Sequence, residues 1–539
     1  MTIEQAFTTA VQFQQSGRAD EACRLYERII AQDRTFAPAI NNLGLLYADR
    51  GRTAEAAALF RRALMLTPAA LNSWNNLGSL LYRLGRRGEA ATAYRASARL
   101  KPDQPAVLNE LGILLEGLQR LDEAEEVFGR AVALVPDEAE YANNHGALLR
   151  MAHRLDEAAV RFRRAIALNP QHSGAYSNLG STVKDRGAFW EALLAFRRAR
   201  TLDPAFAGAH WNESLVRLLI GDFVEGWRRY EWRWKHGRLP SPQRSFVQPR
   251  WDGSALQGRR LLVYWEQGFG DVLQFVRYLP LLAREAGEQG RIFLECQHTL
   301  APVLRSLPGV TVVETGGPLP DFDVQIPVMS LPLLFGTRLE TVPSRVPYLS
   351  AEPALVARWA ERLRAAAGGL KVGIVWAGSP THGNDRNRSI GLAPFARLAA
   401  IPGVTLVSIQ KGPTEGLAAD PPGGFPILNL SPDIRDFADT AAIMAGLDLV
   451  ICVDTSVAHL AGALGVPVWV FIPFAPDWRW MLDREDSPWY PTMRLFRQSA
   501  PGRWDDAIDR IEDALRHRAS DHRADEGAAQ DMPVQGVEA

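Results

Sequence analysis

The 539-residue sequence predicts an α superhelix of stacked helical pairs, followed by two facing α/β domains of Rossmann-like build. Three observations carry that expectation. Gly44, Gly78, Gly112, Gly146 and Gly180 recur at one 34-residue step, and Pro68, Pro102, Pro136, Pro170 and Pro204 keep it. In the second half, short runs rich in branched apolar residues end in glycine-bearing or polar turns and lead into helix signals, the pattern of buried parallel strands with crossover helices. Between the two halves, RLPSPQRSFVQPRW breaks all periodicity with three prolines. The expected organisation is a repeat array over 1–235, a linker over 236–258, α/β domains over 259–350 and 351–517, and a tail over 518–539 whose lack of apolar periodicity predicts disorder.

Ala56, Ala90, Ala124, Ala158 and Ala192 share the 34-residue step, as do the large residues Phe60, Tyr94, Phe128, Phe162 and Phe196. The period and pattern resemble the tetratricopeptide repeat. Small residues let two helices approach closely, the aromatic ring fills the gap beside them, and the proline stops the second helix. Residues 6–34 read as a divergent first repeat, with Gly17, Ala22 and Tyr26 in place, and Trp211–Lys235 as a divergent last one, about seven in all. Such arrays form a long concave groove that holds an extended or helical peptide, so a protein partner is expected.

Asn42, Asn76, Asn144, Asn178 and Asn212 stand just before the small-residue position, on the first helix of five repeats. Asparagine is an indifferent helix former, and its amide offers both a donor and an acceptor. Two uses fit: gripping the backbone of a bound peptide, or bridging neighbouring first helices. A similar asparagine ladder lines the repeats of the O-linked N-acetylglucosaminyl transferases, where it holds acceptor polypeptide. Here Glu110 interrupts it.

An apolar fraction of 47% is ample for several cores, and a net charge of -1 offers no basic excess for nucleic acid or anionic lipid. The amino terminus has no basic segment followed by an apolar core, and no uncharged run reaches the roughly 20 residues of a membrane span. A cytoplasmic protein is expected. Cys23, Cys296 and Cys452 lie far apart and match neither a disulfide framework nor zinc-ligand spacing, so buried thiols are expected.

In the first α/β domain, Leu261–Trp265 reads as a strand, Gly268 and Gly270 as a turn, and Asp271 as the opening of a helix. Glu266 and Asp271 are the acids at that turn. Further strands are expected at Arg291–Cys296, Val310–Glu314 and Asp323–Val328.

In the second domain, a helix at Leu355–Ala367 precedes a strand at Lys371–Trp376, whose following loop, AGSPTHGNDRNRSIGL, carries Arg386 and Arg388. These arginines suit bidentate phosphate contacts, and a solvated basic loop fits equally well. The strand Thr405–Ile409 delivers Gln410 and Lys411 at its carboxyl end, where ligands of open α/β sheets gather; Lys411 is a candidate phosphate ligand. Phe437–Gly446 reads as a helix capped by Asp436. Leu447–Val453 is an almost continuously apolar strand. Asp454 ends it, Thr455 and Ser456 can cap the next helix, and His459 shares a face with Thr455. Unpaired amides at that helix mouth suit an anion. After a strand at Trp469–Ile472, Trp478, Trp480, Trp489 and Tyr490 cluster, either to stack on a base or to pack the closing segment. Trp504–Leu515 is the last amphipathic helix expected.

DTSVAHLAGALGVPVW, followed by DWRW and SPWYPTMRLFRQ, resembles the carboxyl-terminal domain of GT-B glycosyltransferases related to the lipopolysaccharide heptosyltransferases, glycosyltransferase family 9. The resemblance covers roughly the second half of the chain. It implies a nucleotide-sugar donor contacted by Asp454, Thr455, Ser456 and His459, and a general base at the Gly270-Asp271 position, with Glu266 as the alternative base. The one Asp-x-Asp, Asp321 and Asp323, precedes a strand, and GT-B enzymes offset the leaving diphosphate with helix amides and cations, so no metal and no cofactor beyond the co-substrate is implied. The expected function is inverting transfer of a sugar to a protein acceptor held by the repeats, Ser or Thr of a bacterial protein. Flagellin is a candidate by analogy with repeat-bearing bacterial protein glycosyltransferases. The alternatives are a lipopolysaccharide heptose-type transferase and a non-enzymatic repeat scaffold.

Overall fold

A computed structural model describes residues 1–237, 244–287, 290–364 and 369–530, and they form two compact units, 1–204 and 205–539. The first unit stacks six helical pairs among its described residues: α1 (Ile3–Gln15) and α2 (Ala19–Gln32), α3 (Ala37–Asp49) and α4 (Thr53–Leu66), α5 (Leu71–Arg83) and α6 (Arg87–Leu100), α7 (Pro105–Gly117) and α8 (Leu121–Leu134), α9 (Ala139–Met151) and α10 (Leu155–Leu168), α11 (Ser173–Asp185) and α12 (Phe189–Leu202). The 34-residue step has a direct cause. A Cβ added to Gly44 would stand 2.8 Å from the Phe60 ring, one added to Gly112 2.6 Å from Phe128, and one added to Gly180 2.7 Å from Phe196. Each aromatic therefore needs a bare glycine on the partner helix, and each pair repeats the requirement.

The seventh pair, α13 (Ala207–Leu219) and α14 (Phe223–Tyr230), with the short α15 (Arg233–His236), falls in the second compact unit. The reason is packing. Trp227 is buried against Trp478, Trp489 and Phe275, with ring centroids 5.2, 6.4 and 6.0 Å away. Arg233, fully buried, reaches both carboxylate oxygens of Glu266 at 2.9 and 2.6 Å. The compact units divide at 204, inside the span expected for the repeat array. The linker is only partly free of structure: the Trp251 N–H donates to the Gln325 carbonyl at 2.8 Å, and residues 238–243 lie outside the described residues.

Four strands, β1 (Arg260–Tyr264), β2 (Arg291–Cys296), β3 (Val310–Glu314) and β4 (Val324–Pro327), form a parallel sheet of order β3-β2-β1-β4. Six more, β5 (Leu370–Val375), β6 (Val404–Ser408), β7 (Leu428–Asn429), β8 (Leu449–Val453), β9 (Val468–Ile472) and β10 (Met493–Arg497), form a second parallel sheet, β10-β9-β8-β5-β6-β7. β8 and β9 are buried at every residue, which their unbroken apolar runs require. The strand order reverses between β5 and β8, and such a switch point opens a crevice at the strands' carboxyl ends. The three cysteines are free and buried.

The helix expected to end at Leu515 runs from Asp505 to Gln530. Ile508, Ile511, Leu515 and Ala519 form one buried stripe, and Arg518 donates to the Asp448 carbonyl at 2.9 Å. The apolar stripe therefore extends a turn past the expected end, and 518–530 is helical instead of disordered; 531–539 lies outside the described residues. Among the described residues, no helix is long and apolar enough to cross a membrane.

Candidate active site

The carboxyl end of β1 turns through Glu266, Gln267 and Gly268 into α16 (Phe269–Phe275), and the end of β8 turns through Asp454 and Thr455 into the helix Ser456–Leu464. These two helices pack together. A Cβ at Gly270 would come 2.8 Å from His459 Cδ2 and 3.6 Å from the Ser456 Cα, so only glycine permits the contact. His459 is held on its other sides: Nδ1 lies 3.0 Å from the Tyr490 hydroxyl, and the ring stacks on Trp480 at 5.3 Å. Burial, with Arg479 and Arg277 nearby, holds His459 well below the usual histidine range, so it is neutral at pH 7.

Asp271 Oδ2 accepts from the Gly268 N–H at 2.7 Å, and Oδ1 is ion-paired with Arg479. Burial pushes its carboxyl above the usual range, opposed by the Arg479 charge. Gln267, just before this turn, has φ +64, a left-handed conformation that costs a non-glycine residue energy and is held here by a 3.2 Å bond from its side chain to the Tyr230 hydroxyl. Glu266 is different. It is fully buried, with both oxygens taken by Arg233 and Oε1 also accepting from the Met329 N–H at 3.1 Å.

In the second sheet, Arg388 donates to the Asp454 carbonyl at 2.9 Å and so lies over the carboxyl end of β8; a Cβ at Gly378 would stand 2.6 Å from that guanidinium. Burial, reinforced by the Asp477 charge, pushes Asp454 up to about 6 against the pull of Arg388. Thr455 is the N-cap of its helix, yet its hydroxyl makes no capping bond and is buried without a partner. Gln410 is buried, and its oxygen accepts from the Trp376 and Ala377 N–H groups, both at 3.0 Å, bracing the loop after β5. Lys411 is engaged by Glu415 at 2.9 Å and the Ser431 carbonyl at 3.0 Å. Asp271, Asp454, Thr455, Ser456 and Arg388 thus gather about the turns that follow β1 and β8, with His459 packed beneath them, and Glu266, Gln410 and Lys411 make supporting contacts.

Trp478, Trp480, Trp489 and Tyr490 are all buried, so they pack the closing segment instead of offering a ring face to a base. Sequence reasoning overlooked Arg479 and Asp477 in the middle of this segment. The signal was two charges inside an otherwise aromatic run, Asp-Trp-Arg-Trp.

The asparagine amides bridge neighbouring first helices. Asn76 donates to Asn41 at 3.0 Å, Asn144 to Asn109 at 3.0 Å and Asn178 to Asn143 at 2.9 Å, while Asn42 donates to the Tyr26 hydroxyl at 3.2 Å. Asn212 lies on α13, in the second unit. At the ladder position of α7, burial pushes the Glu110 carboxyl up.

The architecture is a helical repeat array ahead of two parallel α/β sheets, and segments of it match known families. Residues 37–70, 75–139 and 144–224 match models of the tetratricopeptide repeat, and residues 417–471, which include Asp454–Ser456 and His459, match glycosyltransferase family 9 (heptosyltransferase). The repeat matches fall in the first half of the chain and the family 9 match in the second sheet's domain. Protein FlbA of Caulobacter vibrioides is 31% identical over 331 residues, 57% of this chain and 54% of FlbA, so the chain spans about half the length of that curated relative. Among solved structures, YrrB, described as a TPR protein with an unusual peptide-binding site, is 23% identical with a TM-score of 0.32, covering 34% of this chain and 95% of its own. A tetratricopeptide repeat protein from Parabacteroides merdae is 18% identical with a TM-score of 0.37, covering 44% and 93%.

Proposed function

We propose that the chain is an inverting, metal-independent GT-B glycosyltransferase that moves a sugar from a nucleotide-sugar donor to a side-chain hydroxyl of a protein held by the repeats. The observation that supports it most is the abutment of α16 on the helix Ser456–Leu464 through Gly270 and His459, which sets an acid of one sheet beside the helix mouth of the other. In this reading Asp271 takes the proton of the acceptor hydroxyl as its oxygen attacks the anomeric carbon, and the bond from that carbon to the diphosphate breaks on the opposite face. The charge left on the departing diphosphate is offset by the uncapped amides after Thr455 and by Arg388. Asp271 is preferred to Glu266 because its side chain keeps 15% exposure, whereas that of Glu266 is fully buried against Arg233. A nucleotide sugar is an intracellular metabolite, which puts the reaction in the cytoplasm.

Titration calorimetry with nucleotide sugars in chelator tests the donor site, and Asp271→Asn tests the base. The variant is expected to bind donor normally and lose turnover by about two to four orders of magnitude. Undiminished turnover removes Asp271 from the reaction.

A second reading has support of its own. The amides of Asn76, Asn144 and Asn178 are engaged in bridges between helices, which suits repeats that serve assembly, with a lipid-linked saccharide as acceptor or with no transfer at all.

A further inference from the structure

Arg479 is nearly buried at 8% exposure, which for an arginine requires compensation on several sides. Its Nη2 pairs with Asp271, its Nη1 with Asp477 at 2.9 Å, its Nε with the Gln274 side chain, and its guanidinium lies 4.2 Å from the centre of the Trp478 ring. Asp271 and Gln274 sit on α16 beside the first sheet, while Asp477 and Trp478 follow β9 of the second. The planar fork therefore spans both halves and fixes one oxygen of Asp271, the other being fixed by the Gly268 N–H. Further groups face the pair: Tyr230 from α14, Asp454 at the end of β8 and His382 from the loop after β5.

Resting on the reading of Asp271 as the base, we propose that Arg479 is its positioning residue: it aims the carboxylate and keeps it ionised, and it does so by linking the base to the donor half of the crevice. A carboxylate held by one backbone N–H alone can rotate, and a misplacement of about 1 Å costs on the order of a hundredfold in rate. Lysine cannot replace the fork, because an ammonium is a point charge without fixed bidentate geometry.

The test uses the full chain with a panel of UDP-, GDP- and ADP-sugars, reading release of the nucleoside diphosphate. Arg479→Gln is expected to lower kcat about a hundredfold. Its donor Kd should stay within about threefold, and the acid limb of its pH profile should move up by about 1 pH unit or more, because the opposite charge favouring the ionised carboxylate is gone. Arg479→Lys should return the limb towards its wild-type position while kcat stays at least about tenfold down. Adding Arg479→Gln to Asp271→Asn should cost little more than Asp271→Asn alone. An Arg479→Gln protein with the wild-type kcat and profile, or one whose donor affinity falls with its turnover, overturns the positioning role. If Arg479→Gln does not fold, the Arg479→Lys split between kcat and Kd decides, and equal loss in both overturns it. Full turnover of Asp271→Asn, or no release from any wild-type donor, sinks the underlying reading and this inference with it; normal loss in Asp271→Asn with an unmoved Arg479→Gln profile sinks the inference alone.

Discussion

The backbone of Gly270 lies directly against the imidazole of His459, with a built Cβ only 2.8 Å from Cδ2. His459 cannot swing aside, since Tyr490 and Trp480 hold it from the other directions. Gly270→Ala should therefore force α16 away from the helix Ser456–Leu464, destabilising the second unit by about 1–3 kcal/mol, the usual range for overpacking. Gly416→Ala, where nothing lies within 4 Å, is the matched control. Denaturant unfolding of both variants reads the difference, and equal midpoints would show that the contact yields cheaply.

Glu266→Gln separates a structural acid from a catalytic one. The substitution leaves the buried Arg233 without its carboxylate partner, although Glu231 still reaches it at 2.6 Å. A loss of about 3 kcal/mol in stability is expected, with the specific activity of the folded fraction retained. Unchanged stability accompanied by lost turnover would return Glu266 to the chemistry.

How far these contacts could be read in advance depends on how local they are. The glycine-aromatic pairs were legible because each contact lies within one repeat and recurs, so the step is written five times in the chain. β8 and β9 were legible because burial on both faces leaves a continuous apolar run. β10 was not: its exposed Arg494 and partly exposed Arg497 interrupt the pattern. The role of Glu266 was hidden because its partner stands 33 positions earlier, and that of Arg479 because Asp271 stands 208 positions earlier. The asparagine bridges reach back 35 positions, one more than the repeat, so the ladder residue bonds the neighbour of its counterpart and not the counterpart itself.

Asp454 gives the second unit a signature in pH. An aspartate unfolds into water with a pKa near 3.9, whereas burial and Asp477 push Asp454 up to about 6 in the folded chain. Between those values the folded state holds more protons than the unfolded one, so this contribution is complete below about pH 4 and is lost as pH rises through about 6. Asp454→Asn should remove it. From pH 4 to 7 the wild type should lose roughly 1–2 kcal/mol relative to the variant, allowing for partial exposure of the group. Denaturant midpoints across that range measure the gap, and a gap independent of pH would place Asp454 in an ordinary aqueous environment.

Truncation distinguishes the possible acceptors, and the fold dictates where to cut. Deletion of 1–210 would remove the start of α13, including His210, whose ring stacks on Trp232 at 3.7 Å and 2°. Deletion of 1–204 leaves the second unit whole. The shorter deletion is expected to fold and to bind donor as the full chain does, while the longer one should unfold at lower denaturant. If the repeats present a protein acceptor, the chain lacking 1–204 will release nucleoside diphosphate with water as acceptor yet fail to modify protein in the parent organism. Mass spectrometry of that proteome, with the chain intact, deleted or truncated, then reads the acceptor directly. A glycan missing from one protein in both the deletion and the truncation supports the repeat-held acceptor. An unaltered proteome with shortened lipopolysaccharide transfers the activity to the lipid, and no change in either leaves the repeats as a scaffold.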